Sequence, residues 1–198
     1  MRVLFGSLKG GVGKSSLALN YAIHANSICL TNDIVTSDNC RVIKIEPSKK
    51  RIPLQYLNKT NMVLDFGAMS TNIDPKVAHA ARLADVIVIP TLTDTRSLKA
   101  TVDTYELMKE SGKPIVVIIN HFTKQKKCDA AMQFLTDALG NDIPILTLRS
   151  TTLFERVSRD GEDWLANIHH NKGEYQLNKT KQAHELVYDA ITLIGDIK

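Results

Sequence analysis

The chain has 198 residues, 43% of them hydrophobic and 23% charged, which is enough to bury one substantial core. A formal net charge of +4 permits a polyanionic partner without demanding one, and three cysteines without a CxxC pair set aside a disulfide scaffold. No apolar run is long enough to span a bilayer, and Gly6-Ser7-Leu8-Lys9-Gly10 interrupts the first apolar stretch, so a cytoplasmic protein without a signal peptide is expected.

Short β-branched runs alternate with helical patterns along the whole chain. Residues 2–7 (RVLFGS) read as a first strand, followed by a glycine loop and a one-faced helix over 14–25 with apolar Leu17, Ala18, Tyr21, Ala22 and Ala25. Strands are expected at 27–31, 41–45 and 62–66, then a proline-led helix over 75–84. A strand at 85–90 precedes a helix over 95–111 closed by Gly112, and a strand at 114–120 precedes a helix over 128–139 closed by Gly140. The last strand is 143–148, and helical patterns at 151–168 and 180–195 finish the chain. The strands are continuous apolar runs rather than alternating ones, as in a sheet covered on both faces. The fold class expected is α/β: a single doubly wound domain over 1–198, with a mostly parallel sheet flanked by helices.

The stretch KGGVGKSS, residues 9–16, stands between the first strand and the first helix. Glycines there let backbone N–H groups turn around phosphate oxygens, and the helix N-terminus favours negative charge. Lys14 would reach the β- and γ-phosphates of ATP, and Ser15 would offer a hydroxyl to Mg²⁺. The strict G-x-x-x-x-G-K-[ST] pattern fails, because Leu8 stands at its first glycine; the pattern that fits is K-G-G-x-G-K-S over residues 9–15.

That pattern resembles the deviant Walker A motif of the ParA/MinD superfamily of P-loop ATPases, and the likeness runs from residue 2 to about residue 161. The resemblance implies nucleotide binding by Lys9, Gly10, Gly11, Val12, Gly13, Lys14, Ser15 and Ser16, with Lys9 crossing a homodimer interface to the partner's phosphates. Lys9 and Lys14 would then both be catalytic, stabilising charge that develops in phosphoryl transfer. ICLTNDIVTSDN resembles the segment that commonly carries D-x-D: Thr31 replaces the first aspartate, and Asp33 stands at the second, which in the family orients water near Mg²⁺. MVLDFG resembles Walker B, with Asp65 holding Mg²⁺ through water and Gly67 opening a mobile switch. Metal ligation is thus expected at Ser15, Asp33 and Asp65. Asn120, closing PIVVIIN, resembles the strand-end asparagine that hydrogen-bonds adenine.

The superfamily covers several tasks, and sequence features separate them. Iron–sulfur carriers need paired cysteines. MinD-type membrane binding needs a basic amphipathic C-terminal helix, whereas HELVYDAITLIGDIK carries Glu185, Asp189 and Asp196 against Lys198, so no membrane partner is expected. The chain most resembles small ParA-type plasmid partition proteins lacking the N-terminal helix-turn-helix extension. That implies an ATP-gated dimer, slow hydrolysis, non-specific DNA binding that would place it on the nucleoid, and a ParB-like or unrelated centromere-binding partner. The alternatives are an accessory or positioning ATPase of conjugation or another cargo system, and an ATP-dependent ligase of the dethiobiotin synthetase type, which has no need of Lys9.

Two basic groups are candidates for DNA. Residues 41–59 hold Arg41, Lys44, Lys49, Lys50, Arg51 and Lys59 against Glu46, and the Lys49-Lys50-Arg51 cluster would neutralise phosphates. The family places arginines near the last strand, here Arg149, Arg156 and Arg159. A solvated charged face is the plain alternative for both groups. His169 and His170 lack further ligands at metal spacing and read as solvated, and Trp164 reads as a core or interface residue.

Overall fold

The computed structural model describes residues 1–32, 41–46, 51–66, 75–170 and 172–197. Asp33, Cys40, Lys49, Lys50 and Gly67 lie outside these residues, as does the side chain of Arg159.

Seven strands form one sheet: β1 (Arg2–Phe5), β2 (Ile28–Thr31), β3 (Val42–Lys44), β4 (Met62–Asp65), β5 (Val86–Thr91), β6 (Ile115–Phe122) and β7 (Ile145–Arg149). Their order is β3-β2-β4-β1-β5-β6-β7, and the paired strands run parallel. The helices are α1 (Lys14–His24), α2 (Leu54–Leu57), α3 (Pro75–Leu83), α4 (Thr95–Met108), α5 (Gln125–Leu139), α6 (Leu153–Asn167) and α7 (Tyr175–Asp196).

The continuous apolar strands serve both faces, because successive side chains alternate across a strand. Leu4, Leu30, Leu64, Ile87 and Val117 pack into a layer with Ala80, Met108 and Leu135 from α3, α4 and α5. Val3, Phe5, Cys29, Val63, Val88 and Val116 face the opposite way, onto Leu17 and Tyr21 of α1 and Tyr188 and Ile191 of α7. All six residues of β5 are buried. Each large apolar side chain so buried contributes roughly 1.5–3 kcal/mol. Tyr21 also satisfies its phenol, which lies 2.9 Å from Thr192 Oγ1 on α7, and its ring meets Tyr188 edge-on at 5.7 Å. At Gly195 a Cβ would come within 2.3 Å of Met1 Sδ and 3.1 Å of Val86, so the end of α7 lies tight against β5, and a larger residue there would require Met1 and Val86 to shift.

Several boundaries differ from the sequence reading, each for a local reason. The helix expected over 95–111 is α-helical to Met108 and tightens to a 3₁₀ turn over Lys109–Ser111, ending at Gly112 with φ 67°. The pattern over 151–168 is one continuous face in sequence, yet α6 breaks at Gly161, where φ is 82° and ψ −176°. α7 begins at Tyr175 rather than 180, after a 3₁₀ turn over Lys172–Glu174. α2, a single turn following Pro53, has no periodicity to announce it. Among the described residues no helix is long and apolar enough to cross a membrane.

Candidate nucleotide site

The loop after β1 lies at the C-terminal edge of the sheet, where the chain turns from β1 to fill one side with β2, β3 and β4 and later the other with β5, β6 and β7. Such a switch point leaves a crevice between the crossover helices. Gly11 (φ 77°) and Gly13 (φ 83°) take left-handed backbone that side chains rarely adopt. Gly13 is the N-cap of α1 and supplies no side-chain cap, and the first turn of the helix holds no acidic residue. Its N–H groups therefore face the loop without a competing carboxylate.

Three neighbours fix the loop. Gly6 N–H donates to Val88 O (3.0 Å), and Leu8 N–H donates to Thr104 Oγ1 on α4 (3.1 Å). Asn120 Nδ2 donates to Val12 O (3.0 Å) and packs so close to Gly13 that a Cβ there would meet it at 2.3 Å. Asn120 reaches the loop by strand alternation, since Val116 and Ile118 before it point to the α1 face. The pairing of β6 with β7 then shifts between Ile119 and Phe122, with His121 at φ 57°. The adenine contact implied for Asn120 is thus joined by a role beneath the loop.

Lys14 is buried, and its ammonium forms an ion pair with Asp65 and lies 3.3 Å from Ser15 Oγ. Asp65 is 2% exposed, and its second oxygen accepts from Thr31 Oγ1 at 3.0 Å. Register explains this meeting: Thr31 and Phe5 both stand beside Asp65 across β2–β4 and β1–β4. Two buried opposite charges and a hydroxyl at one sheet edge are mutually satisfied. The Lys9 ammonium is at the surface, 3.4 Å from its neighbour's carbonyl, Gly10 O, while its backbone N–H donates to Ser7 Oγ (3.1 Å).

The donor set fits Mg·ATP. Loop N–H groups and Lys14 suit phosphate, and the hydroxyl of Ser15 with the carboxylate of Asp65 suits a hard divalent cation. Sequence pattern singled out Lys14, Ser15 and Asp65, which the fold brings together; it missed Thr31 as Asp65's partner and Thr104 as an anchor, because both contacts depend on strand register and helix docking.

The other candidates lie apart from this site. Arg51 is exposed, and Arg149 is exposed with its guanidinium 5.5 Å from the Phe122 ring centroid. Arg156 is half-buried over Trp164 at 4.9 Å, 3.0 Å from Asp160 and paired with Glu174, while Trp164 Nε1–H donates to Glu174 (3.1 Å). Those two carboxylates and the indole make Arg156 part of the α6–α7 scaffold. The rings of His169 and His170 lie 3.8 Å apart and tilted by 44° on a 3₁₀ turn where both are exposed, and no metal-binding group of three is present among the described residues. Cys29 and Cys128 are buried free thiols.

No protein-family model matches the sequence, and no curated protein matches it. Solved structures do resemble the fold. The septum site-determining protein MinD of Pyrococcus horikoshii, complexed with Mg-ADP, is 12% identical, with 100% of this chain and 99% of that one covered at a TM-score of 0.66. A McdA variant of Cyanothece complexed with ATP is 13% identical, covering 96% of each chain at 0.58. A plasmid partition protein of Borrelia burgdorferi is 15% identical, covering 96% of this chain and 98% of that one at 0.57. At these identities the shared property is the fold, and the fold of this chain is that of the MinD- and ParA-type P-loop NTPases.

Proposed function

We propose that this protein is a ParA/MinD-type ATPase that uses Mg·ATP to switch between monomer and dimer and so positions a cargo. The observation that carries the reading is the pairing of an intact K-G-G-x-G-K-S loop with Asp65 at the neighbouring strand end. In this reading Lys14 turns from Asp65 to phosphate oxygens, while Ser15 and Asp65 hold Mg²⁺, which supplies charge neutralisation during phosphoryl transfer. Lys9, whose ammonium lies at the surface, contacts the partner's nucleotide. Asp33, by resemblance, orients the attacking water. The wider likeness to a plasmid partition protein supports a positioning task. Plasmid partition on DNA with a centromere-binding partner is the reading preferred here, on the basic 41–59 segment. The ligase alternative is disfavoured because it has no use for Lys9.

The test separates the two lysines. Lys14→Gln keeps a donor for Asp65 but removes the charge on phosphate, and should cost on the order of 1.5–3 kcal/mol of ATP affinity, measured with a fluorescent analogue. Lys9→Ala should keep ATP binding yet fail to dimerise in sedimentation with a non-hydrolysable analogue. Unchanged ATP affinity in Lys14→Gln would overturn the nucleotide site, and normal ATP-dependent dimerisation of Lys9→Ala would overturn the cross-subunit role.

A further inference from the structure

α7 carries apolar residues on two opposite sides. Its inner side, with Tyr188, Ile191 and Gly195, is buried against the sheet. A second set, Ala183, Leu186, Ala190, Leu193 and Ile197, recurs at alternating steps of three and four residues. At about 100° per residue these fall in a stripe on the side away from the sheet. Leu186, Leu193 and Ile197 are 71%, 68% and 73% exposed, and Ala183 is exposed and Ala190 half-buried between them. Three of the six large apolar side chains exposed among the described residues therefore stand in one line, which random scatter over a surface does not produce. A helix apolar on opposite sides is one that is covered on both.

The shape of the stripe selects a helix as its cover. Two apolar positions in seven is the narrow seam of a coiled coil, and this one runs about 20 Å. A helix that lies on a membrane presents a broader apolar side bordered by cations. Where the stripe ends, a cavity of about 380 Å³ opens between Ile194 and Ile197 at the end of α7 and Pro114, Ile143 and Pro144 before β6 and β7. It has room for a large apolar side chain from a helix lying along the stripe, and such anchored side chains dominate docking energy.

Charge selects the kind of helix. Glu185, Asp189 and Asp196 follow one another at helical spacing along one flank of the stripe. That flank adjoins α1: Asp189 Oδ1 lies 2.8 Å from His24 Nε2, and both Asp189 and Asp196 help to raise the pKa of the Tyr21 phenol. Glu185 lies 3.6 Å from Lys181, whereas Asp189 and Asp196 are exposed. Residues 182–197 hold no Lys or Arg, so a second copy of the stripe brings no cation to these carboxylates. An anionic lipid surface is repelled by them. Lys or Arg beside an apolar seam answers both features at once.

We propose that the outer face of α7 docks a basic amphipathic helix of a partner protein, its apolar seam on Leu186, Ala190, Leu193 and Ile197 and its cations on Asp189 and Asp196. Every residue of the stripe lies outside the nucleotide site. Nucleotide-free full-length protein is therefore the sample, and the outcome is separate from that of the ATP hypothesis.

The probe is a labelled peptide of about three heptads with Leu at a and d and Lys at e and g, whose own charges oppose its self-pairing. One control carries Glu at e and g, and another scrambles the Lys peptide so that no seam remains. Fluorescence anisotropy at about 0.1 M salt should show the Lys peptide binding at least about fivefold more tightly than the Glu peptide, the worth of two exposed charge pairs, with no saturation by the scrambled one. Leu186→Gln with Leu193→Gln, both at exposed positions, should abolish binding. Asp189→Asn with Asp196→Asn should bring the Lys and Glu peptides to equal affinity. The proposal is overturned if the scrambled peptide binds as tightly, if the leucine variant keeps its affinity, or if the asparagine variant keeps the preference for lysine. Two further results overturn it by giving the stripe another cover. One is a dimer of nucleotide-free wild type in sedimentation that the leucine variant loses. The other is retention of wild type, but not of that variant, on phosphatidylcholine vesicles containing phosphatidylglycerol.

Discussion

Asp65 and His184 are both buried titratable groups, and their surroundings differ in kind. Lys14 and Thr31 answer both oxygens of Asp65, one with a charge and one with a hydroxyl. The threonine in place of an aspartate at position 31 has a consequence: a second carboxylate beside Asp65 would add like charge, whereas Thr31 donates a hydrogen bond. His184 has no charged partner and packs against the rings of Phe154 and Tyr188, so burial keeps it neutral. Its folded pKa of about 4 lies below the ordinary 6.5, so the unfolded chain takes up the proton first. The stabilisation is complete above about pH 6.5 and is lost as pH falls from there towards 4, on the order of 3 kcal/mol in all. Urea unfolding of wild type and His184→Gln across that window checks it, and the variant should show a flatter profile. Lys14 and Ser15 could be singled out from motif spacing because the glycine loop is local in sequence, and Asp65 from its own short segment MVLDFG. The Thr31–Asp65 bond could not, since it exists only once β2 and β4 are in register.

Among the elements, α4 and α6 contrast in how a helix is begun and bent. α4 starts cleanly at Asp94, whose carboxylate accepts from Ser97 N–H (3.0 Å) and Ser97 Oγ–H (2.6 Å), and these bonds hold its pKa low. α6 carries instead a glycine in backbone that other residues hardly visit. The break at Gly161 comes immediately before Glu162, whose two carboxylate oxygens share the Nε–H of Arg41 at the edge of β3. Gly161→Ala meets open space, so the strain is purely of the backbone, and the variant should lose about 1–3 kcal/mol of stability in denaturant unfolding. Helical periodicity located α6 but passed over its break, because a single glycine leaves the apolar pattern on either side in phase.

For the whole molecule, the issue is how one small surface charge could be gated by nucleotide. Arg51 and Arg149 are exposed, whereas Arg156 is committed to Asp160, Glu174 and Trp164. A dimer doubles whatever phosphate contacts a monomer makes, so the proposed ATP-driven dimerisation would by itself raise DNA affinity. Random duplex DNA should therefore bind the protein with ATP more tightly than without it. Replacing Lys49, Lys50 and Arg51 by alanine should flatten the log–log salt dependence by roughly 0.9 for each phosphate left without its cation. Fluorescence anisotropy across a salt series reads both, and a wild type indifferent to ATP would favour a protein cargo over DNA.

The succession of the seven strands and the longer helices, the burial of the sheet on both faces and the glycine loop at the start of α1 were all determined by the sequence on its own. Each is written in short-range pattern: β-branched runs of strand length, 3.6-residue periodicity, and glycines beside a lysine at a helix start. Tertiary structure alone decided that Asn120 supports the loop from β6, two strands away from β1, that Thr31 completes Asp65, that Arg156 belongs to the scaffold, and that His184 Nε2 is buried without a partner. These contacts join residues far apart in the chain through strand register and helix docking. No local pattern encodes which side chains will meet there, or which buried atom will be left without a partner.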